Sequence, residues 1–104
     1  MKPQRNRKPK PKEVPFYDPE VRELWFRGQL VKRFRQRAGV QELILISFQE
    51  HRWKRVIYDP LPPVKHIDPN ERLHQAINNL NRGQKLLHFV GTGTGTRIGW
   101  EPVE

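Results

Sequence analysis

Two stretches of this chain carry residue types whose spacing could do chemistry. The first is the run Gly91-Thr92-Gly93-Thr94-Gly95-Thr96, where glycine returns at every second position. Backbone amides without neighbouring Cβ atoms can cradle a phosphate, so the run could be a nucleotide loop; it could also be a hairpin tip or a linker. The second is a series of amides and guanidinium groups: Arg72, Gln75, Asn78, Asn79 and Arg82. Arginine donates two hydrogen bonds to guanine O6 and N7, and Asn or Gln pairs bidentately with adenine N6 and N7. Gathered on one helical face, these side chains have the vocabulary for base edges in a major groove; the plain alternative is a solvated helix face. Asparagine is a poor helix former, yet Asn78, Asn79 and Asn81 crowd one turn where Glu or Lys would serve solubility better. That choice favours binding.

The elements that must position these groups are legible. Asp68-Pro69-Asn70-Glu71 supplies an N-cap carboxylate, proline at the first helical position and an acid three residues after the cap. A helix over about 69–82 follows, closed by Gly83 as a C′ glycine. Its buried stripe is Leu73, Ala76, Ile77 and Leu80. The opposite face presents Arg72, Gln75, Asn79 and Arg82, flanked by His74 and Asn78. On either side of the glycine run the apolar residues alternate: Leu87 and Phe89 share one face of a strand, Ile98 and Trp100 one face of the next. A Rossmann loop would have to open a helix, and a P-loop would need Gly-Lys-Ser/Thr. Here a strand follows. The run is therefore predicted to be a hairpin tip, not a nucleotide cradle.

Upstream, residues 22–34, RELWFRGQLVKRF, alternate around Arg27-Gly28 as a β-hairpin, with Leu24, Phe26, Leu30 or Val31, and Phe34 as the apolar set. Val40, Leu43, Ile44, Ser47 and Phe48 recur at helical spacing over about three turns. Val56, Ile57 and Tyr58 suit a short strand, after which Pro60, Pro62 and Pro63 forbid helix and favour extended chain.

A helix with an amide-and-arginine face followed by a hairpin with a glycine tip resembles the end of the winged-helix effector domains of OmpR-type response regulators. In element order the resemblance covers residues 22–100. RELWFRGQLV is similar to that family's N-terminal hairpin, VQELILISFQEH to its first helix, NERLHQAINNLNR to its recognition helix, and KLLHFVGTGTGTRIGW to its wing. It implies a small α+β, winged-helix-like domain over 15–104 with an N-terminal β-hairpin, two or three helices and a C-terminal wing. It implies that Arg72, Gln75, Asn79 and Arg82 read the groove while Arg97 meets the backbone. The residues between the two helices, RWKRVIYDPLPPVKH, are proline-rich and strand-like. The middle helix of a helix-turn-helix is either very short there or replaced by extended chain.

Charge supports a polyanionic partner. Twenty Lys and Arg against eleven Asp and Glu give a formal net charge of +9, with an isoelectric point near 10.5. Residues 1–12 hold six of the cations, Lys2, Arg5, Arg7, Lys8, Lys10 and Lys12, and no acid. With three prolines and no large apolar residue after Met1, this segment cannot bury enough surface to offset its ordering entropy, and 1–14 is expected to be a disordered basic arm. Lys32, Arg33, Arg35, Arg37, Arg52, Lys54 and Arg55 bracket the first helix, where phosphate contacts could fix the register.

The chain has no cysteine, which excludes disulfides, thiolate metal sites and a thiol nucleophile. His51, His66, His74 and His88 form no metal-ligand spacing, and Ser47, the sole serine, has no His-Asp pattern beside it. A metal-independent ribonuclease with His74 or His88 as general base is the one catalytic reading left open; no enzyme, cofactor, metal or small-molecule substrate is expected. No apolar run is long enough to span a membrane, and no secretory signal is visible, so a cytoplasmic protein is expected. The residues thus point to a DNA-binding protein, a transcriptional regulator or nucleoid-associated protein acting on double-stranded DNA. An RNA-binding or ribosome-associated basic protein is the alternative. Trp25 and Trp53 could stack on unpaired bases or belong to the core.

Overall fold

The computed structural model describes residues 14–92 and 95–103. The expected arm, apart from Val14, lies outside them, as does the Gly93-Thr94 apex of the glycine run. The elements in chain order are β1 (Phe16–Asp18), β2 (Glu23–Phe26), β3 (Gln29–Arg33), α1 (Gly39–Glu50), β4 (Val56–Tyr58), α2 (Pro69–Asn81), β5 (Leu87–Thr92) and β6 (Arg97–Pro102). The result is a small α+β domain with two helices and two antiparallel three-stranded sheets, ordered β1-β2-β3 and β4-β6-β5.

The first hairpin turns on Arg27 and Gly28, with φ of 53° and 77°, as a two-residue I′-type connection between Phe26 and Gln29 requires. The Arg27 guanidinium lies 4.7 Å from the Phe26 ring centroid. A register shift between Leu24 and Trp25 leaves Val31 as the extra residue on β3. That shift settles the choice between Leu30 and Val31: Val31 turns inward beside Leu24 and Phe26, and Leu30 stays exposed.

In α1 the buried set is Ile44, Leu45, Ser47 and Phe48, whereas helical spacing alone puts Val40 and Leu43 on the buried face and omits Leu45. Val40 and Leu43 are half-buried. Both β1 and α2 pack against α1, so its buried arc is wider than a single stripe. Strand β1 is fastened to it by two polar contacts. Tyr17 N–H donates to Gln49 Oε1 (3.0 Å), and the Tyr17 hydroxyl donates to Glu42 Oε1 (2.6 Å). Burial, then the Glu42 carboxylate, pushes the Tyr17 phenol well above its ordinary range. Burial alone would raise Glu42, but the donors Tyr17 and Ala38 outweigh it and hold the carboxyl below its usual value.

After α1, Arg52 and Trp53 take positive φ (56° and 59°) and swing the chain round. Trp53 thereby stacks on Phe48, with centroids 5.0 Å apart and planes within 5°. Trp100 meets it edge-on and donates its indole N–H to Trp53 O (3.0 Å). Phe26 and Phe89 complete an aromatic cluster where both sheets and α1 converge. Trp53 is therefore core, and its ring is not available to a nucleic acid.

Between β4 and α2 there is no middle helix: residues 59–68 form neither helix nor strand, with a turn at 65–66. Helix α2 begins as its cap residues predict, with Asp68 accepting from Asn70 N–H (3.1 Å). Leu73, Ala76, Ile77 and Leu80 are buried, with α2 packed on β5, and belong to one core with Leu87 and Phe89 of β5 and Ile98 and Trp100 of β6. Phe89 pairs with Trp100, and exposed His88 pairs with Glu101 on the outer face. The hairpin register is the one that the alternation predicts.

Candidate nucleic-acid interface

The solvent arc of α2 is Glu71, His74, Gln75 and Asn78, continued by Arg82, which is exposed at the C-cap in extended backbone just past the helix. Three of the sequence-predicted groove residues, Gln75, Asn78 and Arg82, share it. The other two are half-buried, and both line a groove that Gln75 also lines. Arg72 is half-buried and donates through Nη1 to Pro62 O, tying the helix to the proline segment. Asn79 is half-buried and, with Ala38, Gly39 and Gln41, lines a groove of about 270 Å³ between the start of α1 and α2. The apolar stripe seats α2 on the hairpin while α1 flanks one side. The free arc is thus centred nearer Asn78 and Arg82 than Arg72 and Asn79.

The C-terminal end of α2 is closed by a side chain from the first sheet. Lys32 on β3 donates through Nζ to Asn79 O (2.6 Å) and Arg82 O (2.8 Å). A cation among the last carbonyls satisfies orphan acceptors and opposes the helix dipole. Desolvation, then the nearby Arg82 charge, lowers the Lys32 pKa. Lys32 is therefore a fastening between layers and not the phosphate contact that its basic surroundings suggest. Arg33 is likewise engaged, in an ion pair with Glu23 (2.6 Å), whereas Arg35 and Arg37 are exposed.

Asn81 has a structural explanation too. It donates to Phe89 O (2.9 Å) and accepts from Phe89 N–H (2.8 Å), occupying the outer edge of β5 as a strand neighbour would. The crowding of asparagines on this turn is thus partly a sheet-edge device. Asn81→Ala is expected to cost about 1–3 kcal/mol by leaving both Phe89 backbone groups without that partner. Urea denaturation checks it; unchanged stability with lost nucleic-acid binding would instead place Asn81 in the interface. Gln84 does a similar job at the turn into β5, accepting from Leu86 N–H and Leu87 N–H and donating to Leu87 O.

The glycine hairpin lies against the start of α2. Gly95 has φ of 87°, and a Cβ there would run into the Asn70 side chain, so glycine permits both the turn and the close approach. Gly95 N–H donates to Thr92 O (3.2 Å), within the hairpin. The start of α2 and Gly95 of the hairpin are thus neighbours.

The remaining predicted cations sit elsewhere. Arg97 on β6 lies with its guanidinium 5.3 Å from the Tyr58 ring centroid, and that of Arg55 is 4.6 Å from Trp100. Lys54 is exposed beside them. Arg5, Arg7, Lys8 and Lys10 fall outside the described residues. Among the described residues no group of three or more His, Asp or Glu could hold a metal ion, and no helix is long and apolar enough to cross a membrane. His74 stands on α2 and His88 on the outer sheet face beside Glu101 (3.3 Å). No family model, curated protein or solved structure matches the chain. What the molecule can bind is therefore read from this surface.

Proposed function

We propose that the protein is a winged-helix-like DNA-binding module, a transcriptional regulator or nucleoid-associated protein, in which α2 enters the major groove. The observation that carries this reading is the exposed set Glu71, Gln75 and Asn78 on α2 with Arg82 at its C-cap, on a helix whose Asn70, in the first turn, lies against Gly95 of the hairpin. Four of the exposed residues, His74 apart, have a base-edge partner: Arg82 for guanine O6 and N7, Gln75 and Asn78 for adenine N6 and N7, Glu71 for cytosine N4. Irregular chain and β4 stand where a middle helix would be, and α1 packs directly on α2 to brace it. The net charge of +9 supplies the sequence-independent part of the affinity.

The test is binding of wild type, Gln75→Ala and Asn78→Ala to a selected duplex and a scrambled one at one stated salt concentration. Both side chains are exposed, so stability should not change. Discrimination between duplexes should fall by about 1–3 kcal/mol for whichever amide reads an adenine, with scrambled-duplex affinity unchanged. Variants that bind both duplexes as wild type does would reduce the arc to a solvated helix face.

A further inference from the structure

Tyr58 has no role in the core or in the α2 arc, yet it is the most exposed of the large apolar side chains described, at 72%. It stands on β4, an outer strand of its sheet, opposite Arg97 in register and beneath that residue's guanidinium. Behind it a groove of about 490 Å³ opens between the last turn of α1 and β4, lined in part by His51, Lys54, Ile57, Asp59 and Arg97. Lys54 and Arg97 give its mouth positive charge, and His51 adds to it when protonated. The lone acid, Asp59, already accepts from Leu61 N–H (2.9 Å) through Oδ1.

An accessible aromatic ring beside flexible cations is the combination that holds unpaired nucleotides: the ring stacks on a base of any identity and the cations follow the phosphates. A duplex cannot use it, because its base faces are covered by stacking. We infer that this groove binds an unpaired nucleotide of a single-stranded nucleic acid, with the base on Tyr58 and the flanking phosphates at Lys54 and Arg97. Strand β6 separates β4 from β5, against which α2 packs, so the groove lies at the opposite edge of the sheet from α2. The inference rests on the nucleic-acid reading above but not on the helix as its reader.

The experiment is fluorescence anisotropy of the full chain with labelled single strands of about ten nucleotides, a length within single-strand site sizes. The probes are a DNA strand, an RNA strand, an abasic DNA strand of equal charge, and a random duplex. Tyr58→Ala should weaken binding to a base-bearing strand about 5- to 100-fold, as loss of one stacked base does, and Tyr58→Phe should retain it. Abasic-strand and duplex affinities should not move, and the melting temperature should stay at the wild-type value. The DNA and RNA arms show which strand the groove prefers. Wild type binding abasic and base-bearing strands alike, or Tyr58→Ala binding base-bearing strands as wild type does, overturns the inference while duplex binding leaves the α2 reading standing. If wild type binds none of the four probes, both readings fall together.

Discussion

Truncation of Phe89 to alanine is expected to cost about 3–5 kcal/mol, enough to leave little cooperative structure in a domain of this size. Phe89 is 1% exposed, its ring centroid lies 6.1 Å from that of Phe48, and its backbone is bonded to Asn81 on one edge and paired with Trp100 on the other. Removing the ring opens a void where α1, α2 and the second sheet meet, and neighbours held by such fixed contacts can relax into it only partly. Urea or thermal unfolding measures the loss. The adjacent residue is the control: His88 points outward, so His88→Ala should stay within about 0.5 kcal/mol of wild type. A costly His88→Ala with a mild Phe89→Ala would mean that the strand is turned over.

That pair of substitutions also marks what the sequence makes legible. Strand alternation from Leu87 to Trp100 is readable because one face of the hairpin is buried and the other wet, and a one-residue slip would invert every side chain. Helix α2 is readable because its start is written locally, in Asp68 and Pro69. Strand β1 is not. It has three residues, of which only Tyr17 is buried, and its fastenings reach Glu42 and Gln49 across 25 and 32 positions.

The roles of Lys32 and Asn81 are hidden as well, the first across 47 to 50 positions and the second across only 8. Their partners are backbone atoms of other elements, and backbone atoms leave no trace in residue identity. By sequence, Lys32 is one more cation for a phosphate and Asn81 one more asparagine crowding the last turn of a helix. The aromatics are hard to sort for a related reason. Trp53 and Tyr58 both lie in basic surroundings, and only the reversal at Arg52 and Trp53 sends the indole inward while the short edge strand leaves Tyr58 in solvent. The candidate site is half legible: exposed Gln75 and Asn78 follow from helical periodicity, whereas Arg82 falls just past the helix end and Arg72 and Asn79 are half-buried against the proline segment and the start of α1.

Deletion of residues 1–12 should produce the largest change in binding. This segment holds six of the twenty cations, while residues 13–104 carry 14 basic and 11 acidic side chains. Among the described residues the hydrophobic core runs from Tyr17 to Trp100, with Pro15 also buried, and all of it lies beyond residue 12, so the deletion should leave the melting temperature within the error of measurement. Duplex affinity should fall by orders of magnitude at low salt. The slope of log affinity against log salt should become shallower by up to about 5, close to 0.9 for each of six phosphates that the arm no longer neutralises. Asn78→Ala should show the opposite signature, unchanged slope with lost discrimination, because an amide displaces no counterion. On the proposed reading the two measurements separate by physics: charge in residues 1–12 would set how tightly any duplex is held, and the α2 arc which duplex is preferred. If the slope is unchanged by the deletion, the arm's cations do not reach the phosphates, and the attraction must come from the folded residues, where Arg35, Arg37, Lys54 and Arg55 are the exposed cations to vary next.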